Sequence, residues 1–436
     1  MTTSTALLTD RYELTMLAAA LRDGTASRPS VFELFSRRLS GGRRFGVVAG
    51  TGRLLTLLRE FRFGDDELRF LRDNDVVDAE SLTYLENYRF TGSIRGYREG
   101  ELYFPGSPIL TVEGSFADAV VLETLALSVL NHDSAVATAA SRMSIAAGER
   151  PLAEMGSRRA AEQSAVAAAR AAYIAGFRAT SNLEAGRRWG IPTMGTAAHS
   201  WTLLHETEEE AFRSQIDSLG TDTTLLVDTY DIRTGVETAI RVAGTGLGGV
   251  RIDSGDLPIV AAEVRAQLDE LGATGTRITV TSDLDEYAIA ALAASPVDAY
   301  GVGTSVVTGS GYPTASMVYK LVARQDPSGA WIGVAKASTD KASHGGRKAA
   351  FRTLVDGVAE AETVVVSDGF EELDTPAEHA DGRALQTTFV EGGEIDTAFE
   401  GAEGTASARA HHLRVREELP AVSYTHLRAH ETKANL

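Results

Sequence analysis

Between about residue 180 and residue 305 the chain alternates short β-rich runs with longer helical patterns, and this alternation constrains the fold more than any other feature. The runs IPTMGT (191–196), TTLLVD (223–228), GVRID (249–253), RITVT (277–281) and DAYGV (298–302) read as strands. Helical patterns fill 181–190, 206–219, 234–245, 257–271 and 284–294. Most open on a polar residue followed three positions later by Glu, and the pairs Ser181/Glu184, Thr207/Glu210, Thr234/Glu237 and Asp283/Glu286 have capping-box spacing. Repeated βα units predict a parallel sheet with right-handed crossovers, either a barrel or a doubly wound sheet. Both arrangements collect their chemistry at the carboxyl ends of the strands.

The flanks differ from the middle. Residues 30–110 hold strand-like pieces (SVFELF, SIRGYRE and a hairpin over ELYFPGSPILTVEG) between charged helices, and 315–370 is again strand-rich (MVYKLV, WIGVAK, AETVVVS). Residues 117–147 form a long Ala/Leu helical region leading into the middle segment. The expectation is an α/β barrel over 116–315, an N-terminal α+β domain over 1–115, and C-terminal strands and helices over 316–421 that pack back on it. Residues 372–410 are acidic and Gly-rich with weak periodicity. The last stretch, 422–436 (VSYTHLRAHETKANL), breaks with everything before it and looks like a translated read-through tail, so no function is read from His426 or His430.

Composition narrows the function classes. A length of 436 residues with 43% hydrophobic content suits two or three domains with a sizeable core. The formal net charge of -18 argues against a nucleic-acid partner, and an anionic ligand would need a local concentration of cations. No apolar run approaches the roughly 18 residues that span a bilayer, and the N-terminus lacks the pattern of a secretory signal, so the expected location is the cytoplasm, without membrane contact. The absence of cysteine excludes disulfides and thiolate chemistry and fits a reducing compartment.

Polar residues gather where the strands run out. His199 follows the small residues Gly195, Ala197 and Ala198 and precedes the hydroxyl of Ser200, beside Thr196. A lone histidine is ordinarily structural, but a neutral imidazole at a strand end can act as a nucleophile. Arg251 and Asp253 alternate onto one side of their strand, and Ser254-Gly255-Asp256 then turns into a helix that accepts Pro258 in its first turn. An Arg-x-Asp pair is often a buried ion pair, yet the guanidinium fork also suits a carboxylate or a phosphate. The turns at Ser282-Asp283 and Gly303-Thr304 can offer backbone N–H groups to an anion, although Asp283 reads equally well as an ordinary N-cap. Arg158 and Arg159 are either a solvated face or the cations a pyrophosphate needs, and which of them would touch it stays open. Tyr12 and Phe177 are candidate stacking aromatics, although aromatics usually belong to a core.

Several segments resemble, in order and spacing, the nicotinate phosphoribosyltransferases of the bacterial type: LLTDRYELTM, FELFSRR with RRFGVVAG, EMGSRRA, GFRATSN, GTAAHS, VRIDSGDL, TSDLDE, YGVGTSVVT, and MVYKLV with VAKAS. The resemblance runs from about Ala6 to Arg352. It implies an irregular (β/α) barrel of the type II phosphoribosyltransferase kind plus an α+β domain built from both termini. The implied reaction joins nicotinate to phosphoribosyl pyrophosphate, giving nicotinate mononucleotide and pyrophosphate in NAD salvage, with ATP hydrolysis coupled through a phosphohistidine and Mg2+ accompanying ATP and phosphoribosyl pyrophosphate. Carried onto this sequence, the resemblance implies phosphorylation of His199. Nicotinate would meet Tyr12, Phe177, Thr196 and Arg251, with Tyr12 supplied across a homodimer interface. Phosphoribosyl pyrophosphate would meet Arg158, Arg159, Ser200, Asp253, Ser282, Asp283, Gly303 and Thr304. Lys336 and Lys341, with Gly346-Arg347-Lys348, resemble a segment near the triphosphate; here, however, the loop reads Ser343-His344-Gly345-Gly346-Arg347-Lys348, without the proline the family often shows. The nearer alternatives are a phosphoribosyltransferase for nicotinamide or quinolinate; the more distant one is a non-catalytic barrel that binds a phosphorylated metabolite.

Overall fold

The computed structural model describes residues 4–336, 344–367 and 382–424. The chain forms two compact units, one comprising residues up to Thr138 together with 312–423, the other residues 139–311.

The first unit is α+β and draws on both ends of the chain. Its seven-stranded sheet runs in the order Trp331–Gly333, Met317–Gln325, Pro29–Ser36, Leu110–Ser115, Ser93–Tyr97, Gln386–Glu391 and Glu394–Ile395, and every neighbouring pair is antiparallel. The ELYFPGSPILTVEG segment is not the hairpin expected: Leu102–Tyr103 pairs with Gly46–Val47, and Leu110–Ser115 pairs with the two strands beside it in the large sheet. The Arg11–Asp23 helix sends Leu14 and Leu17 into a core shared with Phe32, Ile94, Val112, Tyr319 and Phe389. Phe32 stacks on Tyr319 at 5.0 Å between ring centroids, which joins the N-terminal strand to one from the C-terminal third.

The second unit carries six parallel strands in the order Ala179–Thr180, Leu152–Glu154, Ala299–Val302, Arg277–Val280, Gly249–Ile252 and Thr224–Leu226. Among the described residues the two edge strands do not pair with each other, so the sheet is a curled half-barrel and not a closed cylinder. The IPTMGT run is not a strand; it touches the sheet only through a bridge between Thr180 and Thr193. The Leu152–Glu154 and Ala179–Thr180 strands were not expected, being too short to show a period of their own. Helices follow as Leu183–Trp189, His199–Leu204, Glu208–Leu219, Ile232–Ala243, Leu257–Glu270 and Glu286–Ala291. Thr207 caps its helix as the spacing predicted, but the other caps are Asn182, Asp231 and Asp285 in place of Ser181, Thr234 and Asp283. In each case the cap is an Asn or Asp side chain that accepts a backbone N–H of the first turn.

Candidate active site

Because all six strands of the second unit are parallel, their carboxyl ends open on one edge of the sheet. Glu154, Thr180, Asp228, Asp253, Thr281 and Gly303 mark those ends, and the residues just beyond them form the site.

His199 begins the His199–Leu204 helix and is 40% exposed at its side chain. Its Nδ1 lies 3.1 Å from Thr229 Oγ1, and its Nε2 lies 3.9 Å from Asp228 Oδ1. Asp228 is 1% exposed at its side chain. Its Oδ2 accepts the Asp253 N–H at 2.8 Å and the Ser254 hydroxyl at 2.7 Å, while Oδ1 is buried with no hydrogen-bond partner among the described residues. A buried carboxylate oxygen left unmatched is costly, and among the described residues the His199 imidazole stands at ion-pair distance from it. Asp228 was legible at a strand end in the sequence but carried no signal of this role.

Arg251 stands one strand away. One of its terminal nitrogens donates to Thr196 Oγ1 at 2.5 Å and to the Ala197 carbonyl at 3.2 Å, binding the segment that leads to His199 onto the Gly249–Ile252 strand. Its Nε is buried with no hydrogen-bond partner among the described residues. Burial pushes the Arg251 pKa down, the carboxylates of Asp253 and Asp228 push it up, and the like charge of Arg158 pushes it down again. Arg251, Asp253, Asp228 and Arg158 therefore share one electrostatic neighbourhood. Asp253 Oδ1 accepts the Thr281 hydroxyl, which fixes the carboxylate on the side of the strand that Arg251 also occupies.

The remaining turns complete the edge. Ser282 has a φ of 128°, a conformation that favours glycine and that costs a side-chain-bearing residue about 1–3 kcal/mol, as is common where a turn faces a ligand. Asp283 is exposed, and because Asp285 caps the Glu286–Ala291 helix, the capping role considered for Asp283 does not apply. Gly303 precedes the Thr304–Val307 helix, and Thr304 is exposed. Gly301 sits where a Cβ would lie 2.6 Å from Thr281 Cγ2 and 2.7 Å from Met155 Sδ, so a larger residue there would have to displace those two side chains. Arg158 and Arg159 are exposed on a turn closed by the Arg159 N–H donating to the Gly156 carbonyl at 2.8 Å.

Other expected residues stand elsewhere. Phe177 is 0% exposed: its N–H returns to the Ala172 carbonyl at the end of the Glu162–Ile174 helix, and the ring is core, with no face open to stack on a ligand. Tyr12 belongs to the first unit, 46% exposed on the Arg11–Asp23 helix, its phenol pKa pushed up to about 12 by partial burial and by the carboxylates of Glu123 and Glu13. The Arg347 and Lys348 cations, expected near a triphosphate, are taken up inside the first unit: Arg347 Nε meets Glu113 at 2.6 Å, and Lys348 Nζ meets Glu33 at 2.7 Å with both side chains buried. Both are buried on the Arg347–Val355 strand, where successive side chains leave on opposite faces. Lys336 and His344 are exposed in that unit, and Lys341 lies outside the described residues. Among the described residues no group of three or more His, Cys, Asp or Glu is arranged to hold a metal ion, and no helix is long and apolar enough to cross a membrane.

Residues 7–131 match the nicotinate phosphoribosyltransferase (NAPRTase) N-terminal domain. The chain is 61% identical over 354 residues to nicotinate phosphoribosyltransferase pncB1 of Mycobacterium tuberculosis (strain ATCC 25618 / H37Rv), covering 79% of this chain and 78% of that protein. It is 38% identical over 362 residues to the nicotinate phosphoribosyltransferase of Bacillus subtilis (strain 168), covering 80% and 74%. Among solved structures, human nicotinic acid phosphoribosyltransferase superposes with a TM-score of 0.77 at 26% identity, covering 97% of this chain and 96% of that one.

Proposed function

The chain belongs to the nicotinate phosphoribosyltransferase family, and on that premise we propose that it condenses nicotinate with phosphoribosyl pyrophosphate, coupling the reaction to ATP hydrolysis through phosphorylation of His199. The pyridine nitrogen attacks C1 of the ribose, the C–N bond forms as the C–O bond to pyrophosphate breaks, and the products are nicotinate mononucleotide and pyrophosphate, in NAD salvage.

One observation carries the reading: the His199 imidazole faces the buried, unmatched oxygen of Asp228 on the edge of the sheet where Arg251 and Asp253 also stand. A phosphoryl acceptor needs a nucleophilic nitrogen and a partner for the positive charge that develops on the ring as the bond to phosphorus forms. Asp228 supplies the second. The phosphoryl group leaves later as phosphate and does not enter the mononucleotide, so its effect is on charge and order near the pyrophosphate. Arg251, with its Nε unmatched and Thr196 beside it, takes the nicotinate carboxylate. Arg158, Arg159 and the turns at Ser282-Asp283 and Gly303-Thr304, with Ser200, face the phosphates. Asp253 would supply a carboxylate to Mg2+ carried on the phosphates, and the ion would neutralise phosphate charge there. Exposed apolar side chains of the second unit, Leu183, Leu204, Tyr230, Ile259 and Tyr287, support a homodimer in which Tyr12 of a second copy reaches the nicotinate ring.

The test gives purified protein phosphoribosyl pyrophosphate, Mg2+ and ATP with nicotinate, nicotinamide or quinolinate in separate reactions. The expected result is nicotinate mononucleotide and pyrophosphate from nicotinate alone, with ADP formed alongside. Turnover of nicotinamide or quinolinate in place of nicotinate would overturn the substrate, and a lack of turnover with all three would favour a non-catalytic binding protein.

A further inference from the structure

Glu154 ends the Leu152–Glu154 strand with 0% exposure, immediately before the turn that carries Arg158 and Arg159. Its carboxylate is divided between two neighbours. Oε1 accepts the Gly156 N–H, and Oε2 accepts the Thr180 hydroxyl at 2.5 Å, at the end of the adjoining Ala179–Thr180 strand. The Glu154 carbonyl accepts the Ser181 N–H at 2.8 Å, a second link to the end of that strand. Burial pushes the Glu154 carboxyl pKa up, and among the described residues the groups that lower it are the Thr180 hydroxyl and the Gly156 N–H, with no cation. Burying a carboxylate without a counter-ion costs stability, so its presence at this edge asks for a role that a plain core residue would not fill.

The turn beyond it is pressed from several sides. The Arg159 N–H donates to the Gly156 carbonyl at 2.8 Å, and the Asn182 side-chain nitrogen donates to Ser157 Oγ at 2.9 Å. The Asn182 N–H in turn donates to Thr180 Oγ1 at 3.0 Å, so the hydroxyl bound by Glu154 is part of the same frame. A Cβ on Gly156 would lie 2.2 Å from Val307 Cγ1 and 2.9 Å from the Gly303 carbonyl, which packs this turn directly on the Gly303-Thr304 turn.

We propose that Glu154 is the positioning residue of the phosphoribosyl pyrophosphate side of the site: by holding the Gly156 N–H and the Thr180 hydroxyl together it sets the Ser157–Arg159 turn against Gly303, so that the guanidinium groups meet the anionic substrate already in place. The assignment rests on the reading above that Arg158 or Arg159 faces pyrophosphate. Glutamine can fill the same frame, its oxygen accepting from Gly156 and its amide donating to Thr180 Oγ1, whereas alanine leaves both groups unmatched in a buried place.

Steady-state kinetics of Glu154→Ala, Glu154→Gln, Thr180→Val, Thr180→Ser, Arg158→Ala and Arg159→Ala test this. Glu154→Ala is expected to raise KM for phosphoribosyl pyrophosphate about tenfold, equivalent to about 1.4 kcal/mol, with KM for nicotinate within about twofold of the parent. Glu154→Gln is expected to stay within about threefold of the parent on both constants. An equal rise in both KM values, or a glutamine variant as impaired as alanine, would overturn the positioning role. Should Glu154→Ala fail to fold, the comparison passes to Thr180: a selective rise with Val and none with Ser supports the role, and the lack of any selective rise defeats it. If neither arginine variant raises KM for phosphoribosyl pyrophosphate, it is the underlying assignment that fails; if one does and Glu154→Ala does not, only the positioning role falls.

Discussion

Replacing Asp228 by Asn removes a single negative charge behind His199 and leaves almost everything else in place. The amide oxygen can still accept the Asp253 N–H and the Ser254 hydroxyl, so the end of the Gly249–Ile252 strand keeps its anchor. What is lost is the attraction between the carboxylate and the ring that becomes positive during phosphoryl transfer. At the 3.9 Å separation of Nε2 and Oδ1, Coulomb's law gives about 4 kcal/mol for an effective dielectric constant near 20 and about 1 kcal/mol in bulk water. The imidazole is 40% exposed, so solvent screens part of the interaction, and about 2 kcal/mol, or about thirtyfold in rate, is the expected loss. The assay is single-turnover formation of acid-labile phosphoprotein from terminally labelled ATP, followed by rapid quench, with uncoupled nicotinate mononucleotide synthesis measured without ATP as the control. Phosphorylation should slow about thirtyfold while the uncoupled reaction changes by less than about threefold. A variant that phosphorylates at the parental rate would refute the reasoning, as would one in which both reactions fall together.

Two further outcomes concern stability. Glu13 is buried against the start of the Glu123–Ala147 helix, accepting from Thr124, and burial raises its pKa from the ordinary 4.5 to about 7. The folded state therefore binds the proton more tightly than the unfolded chain, and stability falls as pH rises from about 4.5 to about 7. Glu13→Gln removes that loss, so denaturant melts should find it more stable than the parent at pH 8, by on the order of 2–3 kcal/mol, and nearly equal at pH 4; a gap that stays constant across that range would contradict the assignment. Lys348→Met leaves Glu33 buried without its partner and should cost about 3–5 kcal/mol in chemical unfolding, with the double variant Lys348→Met/Glu33→Leu recovering most of it. No recovery in the double variant would show that the pair matters for more than charge balance.

The βα alternation was readable over the Thr224–Leu226, Gly249–Ile252 and Arg277–Val280 strands because helices of 12 and 14 residues or the Asp285 cap follow them, and over Ala299–Val302 from its apolar run alone. The other two strands hold three and two residues, and tertiary pairing alone defines them, so IPTMGT, with its better local β character, was read as the strand in their place. Capping boxes located helices to within a few residues, but spacing cannot rank two neighbouring acceptors, and Asn182, Asp231 and Asp285 took the caps. In the site, His199, Arg251, Asp253 and Thr196 were legible because each sits at a strand end or in the segment bound to one. Asp228 and Glu154 were not, since their roles lie in an unmatched oxygen and in a cross-strand hydroxyl contact that no local pattern records. Phe177 shows the converse: its segment resembles a ligand-facing one, while its side chain is buried in the core.

The most direct measurement is to incubate the protein with terminally labelled ATP and Mg2+, digest it, and locate the acid-labile label by mass spectrometry, repeating with His199→Ala in the presence of nicotinate and phosphoribosyl pyrophosphate. Label on His199, absent from the variant, together with loss of ATP stimulation but some surviving mononucleotide synthesis, is the expected result. Label on a different residue, or a His199→Ala protein whose synthesis is still driven by ATP, would contradict it.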